Sequence, residues 1–137
     1  MKLFKNIGFR FFLVLGTLFT LSGCLHPYDA EDLYGEWKYI KIESPQEDPP
    51  GVKSGDELAQ ESPSIIFSKN NDLVIMWGGK RLSHGKFRLE GKQIIYNENL
   101  EGGNVREFPF LIRELTEKEI IFETLGQNST RVTAQKL

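Results

Sequence analysis

From residue 36 to residue 136 bulky apolar side chains fall at alternate positions, and short glycine-, asparagine- or acid-containing turns interrupt the alternation every few residues. A helix would repeat its apolar face every ~3.6 residues, so this pattern predicts half-buried strands. The first is expected over 36–43, with Trp37 and Tyr39 on one face and Ile40 and Ile42 on the other. Further strands are expected over 64–68, 73–77, 80–90, 93–97, 105–113, 119–125 and 129–136, with Pro109 marking an edge or a bulge. Only one connection is long, the acidic, proline-rich 44–63 segment. Within it Ser54-Gly55-Asp56-Glu57 fits a capping box and predicts a helical turn or two over 56–60. About eight strands joined by tight turns make an all-β, antiparallel up-and-down meander. A meander left open has two edges ready to pair with other chains, and closing it into a β-barrel removes both. The alternative is a two-sheet β-sandwich.

The alternation does not extend to the start of the chain. Residues 1–10 are basic and residues 11–21 are apolar, a run too short to span a bilayer, which needs roughly 20 residues. A basic stretch followed by a short apolar run is the pattern of a cleaved export signal. The expected division is a signal over 1–23, a tether over 24–32, in which Pro27 disfavours helix, and one folded domain over 33–137. Without Lys2, Lys5 and Arg10 the chain keeps 14 basic side chains against 19 acidic, which gives no electrostatic basis for nucleic-acid binding. The acidity is concentrated in residues 25–61, which carry ten acidic groups against Lys38, Lys41 and Lys53.

The segment Leu21-Ser22-Gly23-Cys24 closes the apolar run and contains the single cysteine. It resembles the lipobox of bacterial lipoproteins. That resemblance implies cleavage before Cys24, a diacylglyceryl group on its thiol and a fatty acyl group, such as palmitate, on its new amino terminus. Two or three chains hold a protein stably to a membrane, at ~0.8 kcal/mol per buried methylene. A lone free thiol would be a liability in an oxidising compartment, and the thioether removes it. Leu25 follows the cysteine where an Asp would imply inner-membrane retention, so the resemblance implies a cell-envelope protein on the outer membrane, facing either the periplasm or the exterior.

Two further segments bear on the fold family. Gly35-Glu36-Trp37 at the head of the first strand is similar to the Gly-x-Trp motif of lipocalins. The hairpin Gly85-Lys86-Phe87-Arg88-Leu89-Glu90-Gly91-Lys92-Gln93-Ile94 resembles a repeat of bacterial lipocalin-like lipoproteins, with Gly91 supplying the turn. The resemblance implies that Trp37 closes one end of the barrel, that Arg131 of the last strand lies over its ring, and that 44–63 is the long loop over the other end. The chain is shorter than a lipocalin of ordinary length, and no flanking helix is visible.

An eight-stranded barrel either fills its interior with side chains or holds one small ligand. Residues expected to point inward are Tyr39, Phe67, Ile75, Trp77, Phe87, Tyr96, Phe108, Phe110 and Phe122. They support binding of a small hydrophobic ligand if a cavity exists, and a packed core if not. The second class of function is an accessory or inhibitory module that binds an envelope protein, with 44–63 as its contact surface. Catalysis is not expected. His26 and His84 are the only histidines, no metal-ligand spacing or cofactor motif is present, and there is no nucleophile elbow or phosphate loop. Glu98, Glu101 and Glu107 are explained by a charged rim.

Overall fold

The computed structural model describes residues 27–137. The expected signal and Cys24 lie outside the described residues. The order of elements is α1 (Ala30–Leu33), β1 (Gly35–Ser44), β2 (Gly51–Ser54), α2 (Asp56–Glu61), β3 (Ser64–Phe67), β4 (Asp72–Trp77), β5 (Lys80–Glu90), β6 (Gln93–Asn99), β7 (Val105–Leu115), β8 (Glu119–Thr124) and β9 (Arg131–Lys136), with a 3-10 turn at Glu101–Gly103. Strands β1 and β3 to β9 pair in sequence order, all antiparallel, and β9 returns to pair with β1. The sheet is a closed eight-stranded barrel, not a sandwich. Strand β2 is an added flap that pairs only with the second half of β1.

The meander fixes which loops share an end. Connections β1–β3, β4–β5, β6–β7 and β8–β9 gather at one end, the mouth. The amino-terminal segment, the turns β3–β4, β5–β6 and β7–β8, and the carboxyl terminus gather at the other. Among the described residues no helix is long and apolar enough to cross a membrane.

Inside, the eight barrel strands supply the core: Trp37 and Tyr39, Ile65 and Phe67, Leu73, Phe87, Ile94 and Tyr96, Phe110 and Ile112, Ile120 and Phe122, Val132 and Ala134. Burial of each large member contributes about 1.5–3 kcal/mol relative to exposure. The outer wall is polar and cross-linked by charge. Glu123 of β8 accepts from both Arg113 and Arg131, on the two neighbouring strands, and its side chain is only 7% exposed beneath them. The two guanidiniums hold its carboxyl below the usual range, Arg113 most strongly, against the opposing effect of desolvation.

Three local expectations are corrected and one is sharpened. A bulge between Tyr39 and Lys41 carries Ile42 to the inner face, opposite Val132, so it shares a side with Tyr39. The edge expected at Pro109 is local: Pro109 pairs with Ile95 of β6, but β8 joins β7 only from Phe110, so the proline stands where β7 overhangs its other neighbour, and the strand's bulge falls instead at Arg113. In an antiparallel ladder alternate residues aim their N–H at opposite neighbours, so the proline removes only one ladder bond. Helix α2 forms where expected, but its cap is Gly55, not Ser54, with no side-chain cap bond. Finally, residues from Tyr28 onward, expected in a tether over 24–32, belong to the folded body. Tyr28 and Ala30 pack against the core, Leu33 is fully buried, and the Asp29 N–H donates to Asp32 to close the first turn of α1.

Candidate functional site

At the closed end the indole of Trp37 is fully buried and its Nε1–H donates to the Leu33 carbonyl at 2.7 Å. The cation over its ring is Lys136, whose Nζ lies 5.2 Å from the ring centroid. This replaces the expected partner Arg131. Val132, Ala134 and Lys136 share the inner face of β9, so Arg131, an odd number of residues away, falls on the outer face. There it pairs with Glu43 in register and with Glu123 by an ion pair, at the mouth end of its strand. The alternation Val132-Ala134-Lys136 was the signal for the true partner.

Above that plug the barrel is filled by aromatic contacts. Tyr39 meets Phe122 edge-on at 6.1 Å, Phe122 meets Phe110 at 5.5 Å, and Phe110 stacks on Tyr96 at 6.0 Å. Phe108 stands edge-on to Tyr96 at 5.3 Å, and Phe67 to Phe87 at 5.1 Å. Burial raises the phenol pKa of both tyrosines; Tyr96 reinforces the shift at Tyr39 by charge repulsion. Of the nine residues expected inside, six are buried core and two, Ile75 and Phe108, pack against it. They form a packed wall rather than the lining of an empty tube.

Trp77 is the exception. Only partly buried at the end of β4, it borders a cleft of about 350 Å³ at the mouth. Ile42 and Ser44 of β1, Thr130 ahead of β9, Gly51, Val52 and Lys53 of the flap, Glu57 of α2 and Glu47 complete the lining. The cleft exists because β1 changes partner along its length. Its first half pairs with β3 through Lys38, and its second half from Lys41 pairs with β2, leaving the wall between β1 and β4 to be bridged by the flap and α2. The flap is tied down on two sides. Gln46 accepts from the Ser129 N–H at 3.2 Å, and the Glu61 carbonyl accepts from the Gly78 N–H at 2.6 Å. Volumes of ~300–1,000 Å³ are usual for small-ligand sites, so this one is of the smallest useful size. Sequence reasoning missed Ile42, because a bulge leaves no mark in a period-two pattern, and missed the flap strand itself.

On the opposite wall Ser83 hydrogen bonds to the Tyr96 hydroxyl at 2.5 Å and donates to Glu98 at 2.8 Å. Arg106 donates to the same carboxylate at 2.8 Å and lies over the Phe108 ring at 5.2 Å. Glu98 therefore faces inward in a satisfied network, whereas Glu107 faces outward to Arg88 and Glu101 is exposed in the 3-10 turn. These three acids do not converge. His84 lies in mid-strand opposite Val74, and among the described residues no group of histidines and acids is placed to hold a metal ion.

A second cleft, of about 610 Å³, lies outside the barrel at the closed end, between Pro27, Tyr28, Glu31 and Asp32 on one side and Leu115, Thr116, Glu117 and Lys136 on the other.

No family model and no curated protein matches the chain. The fold is similar to the crystal structure of a lipocalin-like protein from Bacteroides uniformis, with a TM-score of 0.57 at 17% sequence identity, over 77% of this chain and 99% of that one. The likeness is one of fold, a lipocalin-like β-barrel.

Proposed function

We propose that this is a lipid-anchored protein of the bacterial cell envelope, held to the outer membrane through Cys24, which binds one small, largely apolar ligand at the mouth of its barrel and catalyses no reaction. The observation that carries the binding reading is the cleft between Trp77, Ile42 and the β2–α2 flap. Its apolar side chains, Trp77, Ile42 and Val52, would take the body of a ligand, while Ser44, Thr130 and Lys53 offer hydrogen bonds to a polar end. The filled interior below it sets a size limit, excluding a long chain threaded down the barrel axis. The anchor reading is supported by the order of basic stretch, apolar run and Leu21-Ser22-Gly23-Cys24.

Mass spectrometry of the native protein, extracted in mild detergent, tests both parts by reporting acylation of Cys24 and any co-purifying small molecule. Binding is measured directly with N-phenyl-1-naphthylamine, a neutral apolar fluorophore. Saturable enhancement at one site per chain is expected, with a loss of about tenfold in affinity on Trp77→Ala, equal to ~1.4 kcal/mol. Enhancement that never saturates would remove the ligand reading. If a Cys24→Ser variant still fractionates with membranes, the anchor reading fails.

A second reading, docking of an envelope protein onto the mouth, is supported by the exposed apolar side chains there. Val52, Leu82, Leu100, Val105 and Leu125 all belong to strands or loops of that end. Co-purification from solubilised envelopes without any stoichiometric partner would remove it.

A further inference from the structure

We infer that the barrel stands with its closed end toward the anchoring bilayer, so that the mouth cleft opens away from the membrane that holds the protein. The inference rests on lipidation of Cys24 and goes beyond it. Its basis is that the folded body begins earlier than the sequence pattern implies. Tyr28 and Ala30 pack on the core, and α1 is fixed to the closed end through buried Leu33 and its carbonyl bond from Trp37. Four residue steps separate Cys24 from Tyr28, a reach of at most about 14 Å. Strand β1 has 10 residues, which at ~3.3 Å per residue and a usual tilt near 40° spans roughly 25 Å along the axis. A barrel with its mouth on the bilayer would lift Tyr28 about that far above the surface, beyond the leash.

The charges of the two ends agree with a body that rests near the surface without entering it. At the closed end Asp29, Glu31, Asp32 and Glu117 are matched by Lys69, Lys92, Lys118 and Lys136, a mixed surface with no basic excess to draw it in among anionic headgroups. Large exposed apolar side chains gather at the mouth instead; of the six among the described residues only Leu137 lies at the closed end. A ligand would therefore exchange with the aqueous compartment or with a donor approaching from outside, not laterally with the lipids of the anchoring leaflet.

The test uses the full-length lipidated chain in vesicles whose headgroups carry a nitroxide quencher. The thiol of Cys24 is consumed by the anchor, so one introduced cysteine takes a fluorophore selectively. Glu117→Cys marks the closed-end turn and Asn128→Cys marks the mouth turn, both exposed positions. Quenching is expected to be several-fold stronger at position 117 than at position 128. A flexible Gly/Ser insertion of 20 residues between Pro27 and Tyr28, with a mean reach of about 25 Å, should erase the difference. Equal or reversed quenching in the uninserted protein overturns the orientation while leaving the anchor intact. Failure of the protein to float with vesicles overturns the anchor and the orientation together.

Discussion

The Lys136 ammonium sits 5.2 Å from the centre of the Trp37 ring, and the lysine stem reaches it by passing over Gly35. A Cβ at Gly35 would meet Lys136 Cε at 3.0 Å, in a residue whose φ of +126° already disfavours any other side chain. The Gly-x-Trp motif is thus one half of a three-residue lock, with the glycine admitting the lysine that covers the tryptophan. Lys136→Ala should cost about 0.5–1 kcal/mol, the usual range for an exposed cation on an aromatic face. Trp37→Ala should cost about 3–5 kcal/mol, because it removes a fully buried ring and leaves a cavity. Urea unfolding in a Trp77→Phe background, followed by Trp37 emission, separates the two. Arg131→Ala should leave the folded-state Trp37 spectrum unchanged.

Removing Arg131 acts elsewhere, through Glu123. The carboxyl of Glu123 titrates below its ordinary value because Arg113 and Arg131 both donate to it. A group with a depressed folded-state pKa stabilises the fold above its unfolded pKa, and that stability is lost as pH falls through the folded value. Thermal midpoints should therefore hold steady from neutral pH down to about 5 and decline below roughly 4.5. Glu123→Gln should lower the midpoint at neutral pH and flatten the acid decline. An unchanged acid slope in that variant would remove Glu123 from the account.

The hairpin motif Gly85…Gly91 holds its two glycines for different reasons, and substitution should reveal them. Gly91 has φ +59° with open space around it, so Gly91→Ala meets only the left-handed backbone penalty of about 1–2 kcal/mol. Gly91→Asn should recover part of that loss. At Gly85 a Cβ would collide with the Asn97 carbonyl of the neighbouring strand, which cannot move aside without breaking the ladder. Gly85→Ala should exceed the Gly91→Ala cost or abolish folding, as read by chemical denaturation.

Much of this architecture was legible in the sequence because strand period and turn chemistry are local properties. Trp37 and Phe87 each stand between two charged neighbours, and both lie in the core where alternation places them. What the alternation cannot show is an added residue. The bulge after Tyr39 brings Ile42 to the inner face and helps to build the mouth cleft, and no side chain marks it. The flap β2 was hidden for a related reason. Its four residues, Gly51–Ser54, are mostly exposed and carry no apolar alternation, so their strand conformation comes from pairing with β1 and not from their own pattern. Sequence also placed nine residues in one interior without distinguishing depth, whereas the barrel separates Phe110 in the core from Trp77 at the rim.

That separation predicts opposite consequences for two aromatic truncations. Phe110 is 5% exposed and touches Tyr96, Phe108 and Phe122, so Phe110→Ala should cost about 3–5 kcal/mol of stability. If the ligand site is the mouth cleft, that variant, studied below its unfolding transition, should still bind N-phenyl-1-naphthylamine with nearly native affinity. Trp77 borders the cleft and stands outside the core cluster, so Trp77→Ala should cost less stability and lose about tenfold in probe affinity. Measuring both quantities for both variants makes a crossed design. A probe that follows Phe110 and ignores Trp77 would place the ligand inside the barrel axis, against the packing seen there, and would overturn the mouth as the binding site.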